Sequence, residues 1–298
     1  MILAALALFA GQPQTIVTVD PSHRLVEGVA SDGSVIWVSS LIDRQILRCG
    51  RTCVTFATLA EGLHPFAISW DSQSRLLWVA ADCPPGVAFI KACERGKLIG
   101  FDVRGRVRAR LAPPSGPFHP GDVSSSAGHV FVSDSQNGAV YRLAPRGKTL
   151  TTLVAPGVGK SGQGLVLDRD GKQLLVADYS QGMASIDLAT KTRVLLLRQD
   201  SKPLRGVDGL ARCGDTIFGV YNGAAPGRLL TIRRRPGGIE YGELVEDLML
   251  PDPTQVAFDG KRLLVVANSG WELATKGAPR TEGTPILSIP LGKDCKPI

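Results

Sequence analysis

One phrase recurs along this chain, and it limits the possible folds more than any other feature of the sequence. In its clearest copy, an apolar run at 165–167 leads to an Asp170-Gly171 turn and to a second apolar run that ends at Asp178. Glycine accepts a positive φ in such a turn, so the phrase predicts two antiparallel strands joined by a hairpin. Further strands predicted at 183–187 and 192–197 complete a meander of about 40 residues, the size of one propeller blade.

The phrase occurs six times, and the copies use nearly all of the 298 residues. Strand repeats at this spacing indicate an all-β, six-bladed β-propeller. The alternative is a two-sheet sandwich in which the turns recur by chance. The copies begin at Glu27, His64, His119, Gly162, Val207 and Thr254.

The sixth copy ends after three strands, at 286–289, and an incomplete blade would expose a sheet edge. The segment Thr15–Val19 has the composition of a strand and belongs to no other copy. We therefore expect it to complete the last blade, so that residues 15–298 form a single closed domain.

The first ten residues, 1–10, are apolar and end in small side chains, which is typical of a secretory signal peptide cleaved near Ala10. The alternative is a buried N-terminal strand. The six cysteines favour the signal peptide, because disulfides form in oxidising compartments. We therefore expect the protein to be exported to the periplasm or secreted. Because the blade map places certain cysteines at adjacent turns, it predicts three disulfides: Cys49–Cys53, Cys83–Cys93 and Cys213–Cys295.

The formal net charge is +7, but the basic residues are scattered, apart from Arg233-Arg234-Arg235. Nucleic-acid-binding surfaces usually carry longer basic stretches that are interleaved with aromatic residues, so we expect no nucleic-acid partner. The apolar stretch at 1–10 is too short to span a bilayer. We expect a monomer whose partner is a small molecule.

Two long insertions follow the second strands of blades two and six, at 82–96 and 269–284, and both should rise over the same face. Trp271 and Phe89 are candidates for the rim of a pocket there, with loop packing as the alternative. An Asp or Asn also ends the second strand in five copies, as expected of strand terminators that bond the next backbone amide. These residues are Asp82, Asp134, Asp178, Asn222 and Asn268.

The first strand of each blade lines the axis of a propeller, so the residues at its start should converge from all blades. Here they are Glu27, Pro65, Asp122, Gln163, Asp208 and either Thr254 or Gln255. Three carboxyl groups in one small space would raise one another's pKa values unless a cation compensates their charge. Oxygen ligands suit Ca²⁺, Mg²⁺ or Mn²⁺.

The same residues carry a family resemblance over roughly 20–290. The chain resembles the SMP-30/gluconolactonase/LRE-like propellers, and more distantly the paraoxonase-like and strictosidine-synthase-like proteins. Its matching dipeptides are Glu27-Gly28, Gly121-Asp122 in place of Asn-Asp, Gln163-Gly164 in place of Asn-Gly, and Asp208-Gly209. The resemblance implies a divalent cation held by Glu27, Gln163 and Asp208. Ca²⁺ is the first candidate, and Mg²⁺, Mn²⁺ and Zn²⁺ are alternatives. The glutamine is one methylene longer than the family's asparagine, which would shift or weaken the site.

The resemblance also implies a metal-dependent hydrolase that acts on a small lactone or a related ester. Asp208 or Asp122 would accept a proton from the attacking water. His64 and His119, each followed by proline, are candidates for a proton shuttle of the paraoxonase type, with a structural role in a turn as the alternative. The competing hypothesis is a propeller of the NHL or TolB kind, which binds a ligand or a protein and catalyses nothing.

Overall fold

The chain folds into six four-stranded antiparallel sheets arranged in a ring, in a computed structural model that describes residues 12–93 and 95–297. Consecutive first strands touch in a closed cycle, from blade one against blade two round to blade six against blade one. The predicted six-bladed propeller is confirmed, and the sandwich is wrong. The predicted signal peptide at 1–10 lies outside the described residues.

Each predicted copy starts one blade. Blade one contains β2 (Val26–Ser31), β3 (Ile36–Ser40), β4 (Gln45–Cys49) and β5 (Cys53–Thr58), and blade two contains β6 (His64–Asp71), β7 (Leu76–Asp82), β8 (Lys97–Phe101) and β9 (Val107–Leu111). Blade three contains β10 (Pro120–Ser126), β11 (His129–Asp134), β12 (Val140–Leu143) and β13 (Leu150–Val154), and blade four contains β14 (Gly162–Leu167), β15 (Gln173–Asp178), β16 (Gly182–Asp187) and β17 (Arg193–Leu195). Blade five contains β18 (Val207–Cys213), β19 (Thr216–Tyr221), β20 (Arg228–Arg235) and β21 (Gly238–Glu243), and blade six contains β22 (Val256–Phe258), β23 (Arg262–Val266), β24 (Thr284–Pro290) and β1 (Gln14–Val19).

The N-terminal strand closes the ring, as the sequence predicts. β1 pairs antiparallel with β24, and Val17 lies opposite Ile286. Val17 and Val19 are buried in the core between blades six and one, together with Ile286. Burying a valine side chain stabilises a fold by roughly 1.5–3 kcal/mol, so these two residues hold the closing strand in place.

All three predicted disulfides are present. Cys213–Cys295 joins residues 82 positions apart and connects blade five to the end of blade six. A covalent loop of this length removes unfolded-state entropy equivalent to about 4.5 kcal/mol in the chain-entropy account. The bond therefore reinforces the ring near the place where β1 closes it.

The two insertions contain little regular structure, and they meet on one face. The insertion of blade six contains α1 (Trp271–Lys276), and the amide of Ala88 in the blade-two insertion donates to the carbonyl of Ala274, at 3.1 Å. Within the described residues, no helix has the length and apolar character that crossing a bilayer requires.

A β-bulge interrupts the pairing of first and second strands in blades one to five. In blade one the register shifts between Val26 and Val29, which leaves Glu27 and Gly28 out of the regular ladder. Bulges turn side chains in new directions, and they recur here where the first strands of blades one to five enter the channel. The bulges therefore influence which way the side chains at the start of these strands, such as Glu27, point.

The glycine of each matching dipeptide allows neighbouring first strands to approach closely. A Cβ on Gly28 would lie 2.7 Å from the carbonyl oxygen of Phe66 in the next blade. A Cβ on Gly164 would collide with the carbonyl oxygen of Asp208, and one on Gly209 would lie 2.9 Å from that of Thr254. Real Cβ atoms do not tolerate such contacts, so these positions require glycine for packing rather than for a turn.

We expect Gly164→Ala to lower the free energy of unfolding by about 2 kcal/mol, because the added methyl group forces two first strands apart. The melting temperature should fall by about 3 °C in a domain of this size. Gly242→Ala is the matched control, since its Cβ would meet no atom nearer than 3.9 Å in strand β21. Thermal unfolding of both variants tests the packing role, and equal melting temperatures would contradict it.

Candidate functional site

A cavity of about 340 Å³ opens on the face where the first strands begin. Glu27, Gln163 and Asp208, from blades one, four and five, all line it, and each keeps part of its surface accessible. Phe66, Tyr179 and Trp271 contribute aromatic surface to the same wall. The structure therefore brings the three predicted metal ligands to one space.

Asp208 is held by a neighbouring amide. Asn222, at the end of the second strand of the same blade, donates from Nδ2 to Asp208 Oδ2 at 2.8 Å and to the carbonyl of Pro253 at 2.9 Å. Burial raises the pKa of Asp208 to about 7, and the negative charge of Asp252 acts in the same direction, whereas the bond from Asn222 opposes both. Asp208 is thus an acid that changes its charge near neutral pH.

Glu27 accepts a hydrogen bond from the indole of Trp271, with 2.6 Å between Nε1 and Oε2. Burial raises the pKa of Glu27 well above its ordinary value, and the charge of Asp208 raises it further. The indole bond opposes this shift, but the net direction is upward. The two carboxyl groups are close enough to interact, so a cation between them would stabilise both in the ionised form.

Asp122 lies deeper in the channel than the other two acids. Its Oδ1 accepts from its neighbour's amide, Val123 N, at 2.6 Å, and from Gln255 Nε2 at 3.1 Å. Burial raises its pKa well above the ordinary value, with a further contribution from the charge of Asp208. Gly121 lines the cavity and Asp122 does not.

Two details of the predicted ring of entrance residues are resolved by the structure. Of the two candidates in blade six, Gln255 bonds to Asp122, whereas Thr254 Oγ1 donates to the carbonyl of Glu27 at 2.8 Å. In blade two, Phe66 lines the cavity in place of the expected Pro65. The bulge between Pro65 and Ile68 shifts the register there, which explains the difference.

The two candidate histidines are buried next to the channel and do not line the cavity. His64 Nδ1 lies 2.9 Å from the carbonyl of Leu41, and burial lowers the pKa of His64. His119 Nδ1 lies 3.2 Å from Asp82 Oδ1, and Asp82 itself lines the cavity. Each ring therefore has a fixed protein partner, and a proton-shuttle role for either histidine stays a prediction.

Four of the five residues that end the second strands divide into two groups. Asp134 and Asp178 accept hydrogen bonds from backbone amides of nearby loops, as expected of strand terminators. Gln136 N donates to Asp134 at 3.0 Å, and Lys160 N donates to Asp178 at 2.8 Å. Asp82 and Asn222 instead line the cavity.

The two aromatic rim candidates also differ. Trp271 lines the cavity, whereas the exposed ring of Phe89 lies on the surface under Arg24, 4.5 Å from its guanidinium carbon.

Sequence reasoning missed Tyr179 and Asp252. Tyr179 directly follows a strand terminator, and its phenol lies near Asp208, whose charge together with burial raises the pKa of the tyrosine. Asp252 precedes the sixth copy, so it lies outside the repeated phrase, yet its charge reaches both Glu27 and Asp208. Only the residue type, an acid between two prolines, was visible beforehand.

The donor atoms at this cavity suit a hard divalent cation, because Glu27, Gln163 and Asp208 all offer oxygen. Asn222 Oδ1 is also buried without a hydrogen-bond partner, so it is a further oxygen atom that could bind a cation. Within the described residues, three His, Cys, Asp or Glu ligand atoms lie within 4.8 Å of one another only at Asp82, Cys83 and Cys93, and those sulfurs form a disulfide. A cation at the cavity would therefore need the amide oxygen of Gln163 besides the carboxylates.

Solved structures with this fold include gluconolactonases, the enzymes that the sequence resembles. One is a putative gluconolactonase with a TM-score of 0.63 and 14% sequence identity, over 95% of this chain and 93% of that chain. Another is a gluconolactonase of Xanthomonas campestris, with a TM-score of 0.64 and 13% identity over 95% and 93% of the two chains.

A PQQ-bound aldose sugar dehydrogenase of Streptomyces coelicolor is similar to a comparable degree, with a TM-score of 0.61 and 12% identity over 93% of this chain and 98% of that chain. No protein-family model matches the sequence, and no curated protein sequence matches it. At these identities the likeness shows the shared fold, which supports many unrelated functions.

The raised pKa of Asp208 predicts how stability depends on pH in protein freed of divalent cations. A carboxyl group with a folded-state pKa near 7 binds more protons when folded than when unfolded at any pH between about 4 and 7. Its contribution to stability is thus complete at low pH and is lost as the pH rises through 7. The melting temperature in EDTA should be lower at about pH 8.5 than at about pH 5.5, and Asp208→Asn should flatten this profile.

Asp215→Asn is the control for this measurement, because Asp215 is exposed and pairs with Arg169 at the surface. It should leave the pH profile of the melting temperature as in the wild type. A wild-type profile that rises between pH 5.5 and 8.5, or an Asp208→Asn profile of unchanged slope, would contradict the assignment.

Proposed function

We propose that this protein is a hydrolase of small lactones or related esters, with a divalent cation bound by Glu27, Gln163 and Asp208. One observation carries the proposal: two acids and an amide, from three different blades, line a single cavity of about 340 Å³. Burial raises the pKa values of both acids, so their ionised forms require compensation. The gluconolactonases among the structural neighbours are consistent with this chemistry.

Glu27, Gln163 and Asp208 would hold the cation, which would supply Lewis-acid polarisation of the substrate carbonyl and a lower pKa for the attacking water. Asp208 is the residue best placed to accept the proton of the attacking water, because it lines the cavity and Asn222 fixes one of its oxygens. Asp122 is less suited, since its Oδ1 is committed to Val123 and Gln255 inside the channel.

The cavity wall supplies binding surface for the substrate. Phe66 and Trp271 lie with ring centroids 6.1 Å apart and present apolar surface, while Tyr179 and Asn222 add polar groups. Such a mixture of apolar walls and a few convergent polar groups is typical of small-molecule sites. Both insertions contribute to this wall, through Pro84 and Pro85 of blade two and Trp271 of blade six.

We expect the purified protein to hydrolyse at least one member of a panel of γ- and δ-lactones and aryl esters, and to lose this activity in EDTA. Added Ca²⁺ or Mn²⁺ should restore the activity. Asp208→Asn should lower kcat/KM by about 100-fold or more, the usual contribution of a general base. Continuous assays of acid release, with and without each cation, measure these effects.

Asp215→Asn is the matched control, since it removes the same charge from an exposed position far from the cavity. It should retain wild-type kcat/KM. Hydrolysis that is indifferent to EDTA and to Asp208→Asn would overturn the proposal, and so would inactivity across the whole panel. The latter result would favour the non-enzymatic, NHL- or TolB-like alternative.

A further inference from the structure

The segment 268–271 connects β23 to α1 and is held by an acid that the proposed chemistry does not use. Asp252 Oδ2 accepts three hydrogen bonds from it: Ser269 Oγ at 2.6 Å, Gly270 N at 2.9 Å and Trp271 N at 2.7 Å. The backbone takes part as well, because Ser269 N donates to the carbonyl of Asp252 at 2.7 Å. Bonds from backbone amides to a carboxylate are short and strong.

A buried arginine holds the same segment from its carbonyl side. Arg280 is 9% exposed, and its guanidinium donates to the carbonyl of Asn268 at 2.5 Å and also to that of Ser269. Gly270 has a φ of 99°, and a Cβ there would lie 2.6 Å from the carbonyl of Arg24. The amides of the segment thus donate to the carboxylate of Asp252, and its carbonyls accept from the guanidinium of Arg280. Together these bonds fix the position of the segment.

This fixed segment determines where the side chain of Trp271 lies. The indole packs beside Phe66 and directs its N–H to Glu27 Oε2, at 2.6 Å. Within the described residues, this indole is the only side-chain donor bonded to the Glu27 carboxylate. One oxygen of Glu27 is therefore occupied, and the other is left for a ligand in the cavity that Glu27 lines.

We propose that Asp252 is a positioning residue that acts through Trp271: it fixes the indole, and the indole orients Glu27 to offer a single oxygen to the cation. The proposal rests on the proposed cation site and adds the two residues that prepare one of its ligands. Partners that orient a metal ligand typically change metal affinity by about 10- to 100-fold when they are removed. Asp252 also carries a charge near the site, so a direct electrostatic effect has to be separated from an effect through Trp271.

The first test is the affinity of the protein for Mn²⁺ and for Ca²⁺ alone, measured by titration calorimetry. Trp271→Phe keeps the aromatic ring and removes the N–H, and we expect it to weaken binding by about tenfold. Trp70→Phe is the matched control, because Trp70 lines the pocket at the other end of the channel, where its ring stacks on Trp37. It should bind as the wild type does.

A double-mutant cycle decides whether Asp252 acts through the indole. Asp252→Ala should weaken cation binding by about as much as Trp271→Phe, and the double variant should bind no more weakly than Trp271→Phe alone. Asp252→Asn, which keeps an acceptor for the backbone amides, should restore part of the affinity. Additive losses, or an Asp252→Asn variant as weak as Asp252→Ala, would assign Asp252 a through-space electrostatic role and overturn the proposal.

A structural signal completes the test and does not depend on activity. The Trp271 indole ¹H–¹⁵N resonance is identified by its absence from the spectrum of Trp271→Phe. In the wild type it should shift when Mg²⁺ or Ca²⁺ is added. In Asp252→Ala it should move towards the position of a free indole. If Asp252→Ala does not fold, Asp252→Ser, which also removes the carboxylate, takes its place in the cycle and in the comparison with Asp252→Asn.

The outcomes separate this proposal from the function on which it rests. Wild-type protein that binds no Mn²⁺ or Ca²⁺ refutes the cation site and the positioning role together. Wild-type protein that binds a cation, with unchanged affinity in Trp271→Phe, leaves the cation site intact and refutes the positioning role alone.

Discussion

The close approach of the six first strands around one axis is the constraint on which the rest of this structure depends. Gly28 and Gly164 permit it, because any side chain there would meet the backbone of the next blade. The approach leaves only a narrow channel, and Glu27, Asp122 and Asp208 all direct carboxyl groups into it. Packing that stabilises the ring therefore also concentrates negative charge at its centre.

That concentration of charge is costly unless something compensates it, and the structure shows partial compensation only. The indole of Trp271 bonds to Glu27, Asn222 bonds to Asp208, and Gln255 bonds to Asp122. Each of these bonds lowers the pKa of its acid, and burial still raises it on balance. A bound divalent cation would supply the missing compensation, and in this way the fold and the proposed chemistry share one physical cause.

The sequence was most informative where a pattern repeats. The strand phrase predicted six blades, the leftover segment near Thr15 predicted the closing strand, and the positions of the cysteines relative to the turns predicted all three disulfides. The convergence of Glu27, Gln163 and Asp208 followed from the same phrase, since each lies at the same point of its copy. Periodicity transmits such information because every blade obeys the same geometry.

The parts that could not be predicted lie outside the repeat or depend on small shifts in register. Phe66 lines the cavity in place of Pro65 because a bulge shifts the register of the strand. No residue in blade two predicts this bulge from the sequence. Asp252 holds the segment 268–271 from 17 to 19 positions away in the chain, through contacts that only tertiary structure defines. His119 bonds to Asp82 rather than facing the cavity, because Asp82, the last residue of β7, lies beside it.

The central claim is that oxygen atoms from blades one, four and five share one divalent cation at the mouth of the channel. Anomalous diffraction from crystals soaked in Mn²⁺ tests it most directly. The account predicts a single strong anomalous peak within about 2.1–2.6 Å of oxygens from Glu27, Gln163 and Asp208. An anomalous peak at another position, or an empty cavity at saturating Mn²⁺, would contradict it. So would a crystal structure in which Glu27 and Asp208 lie far apart.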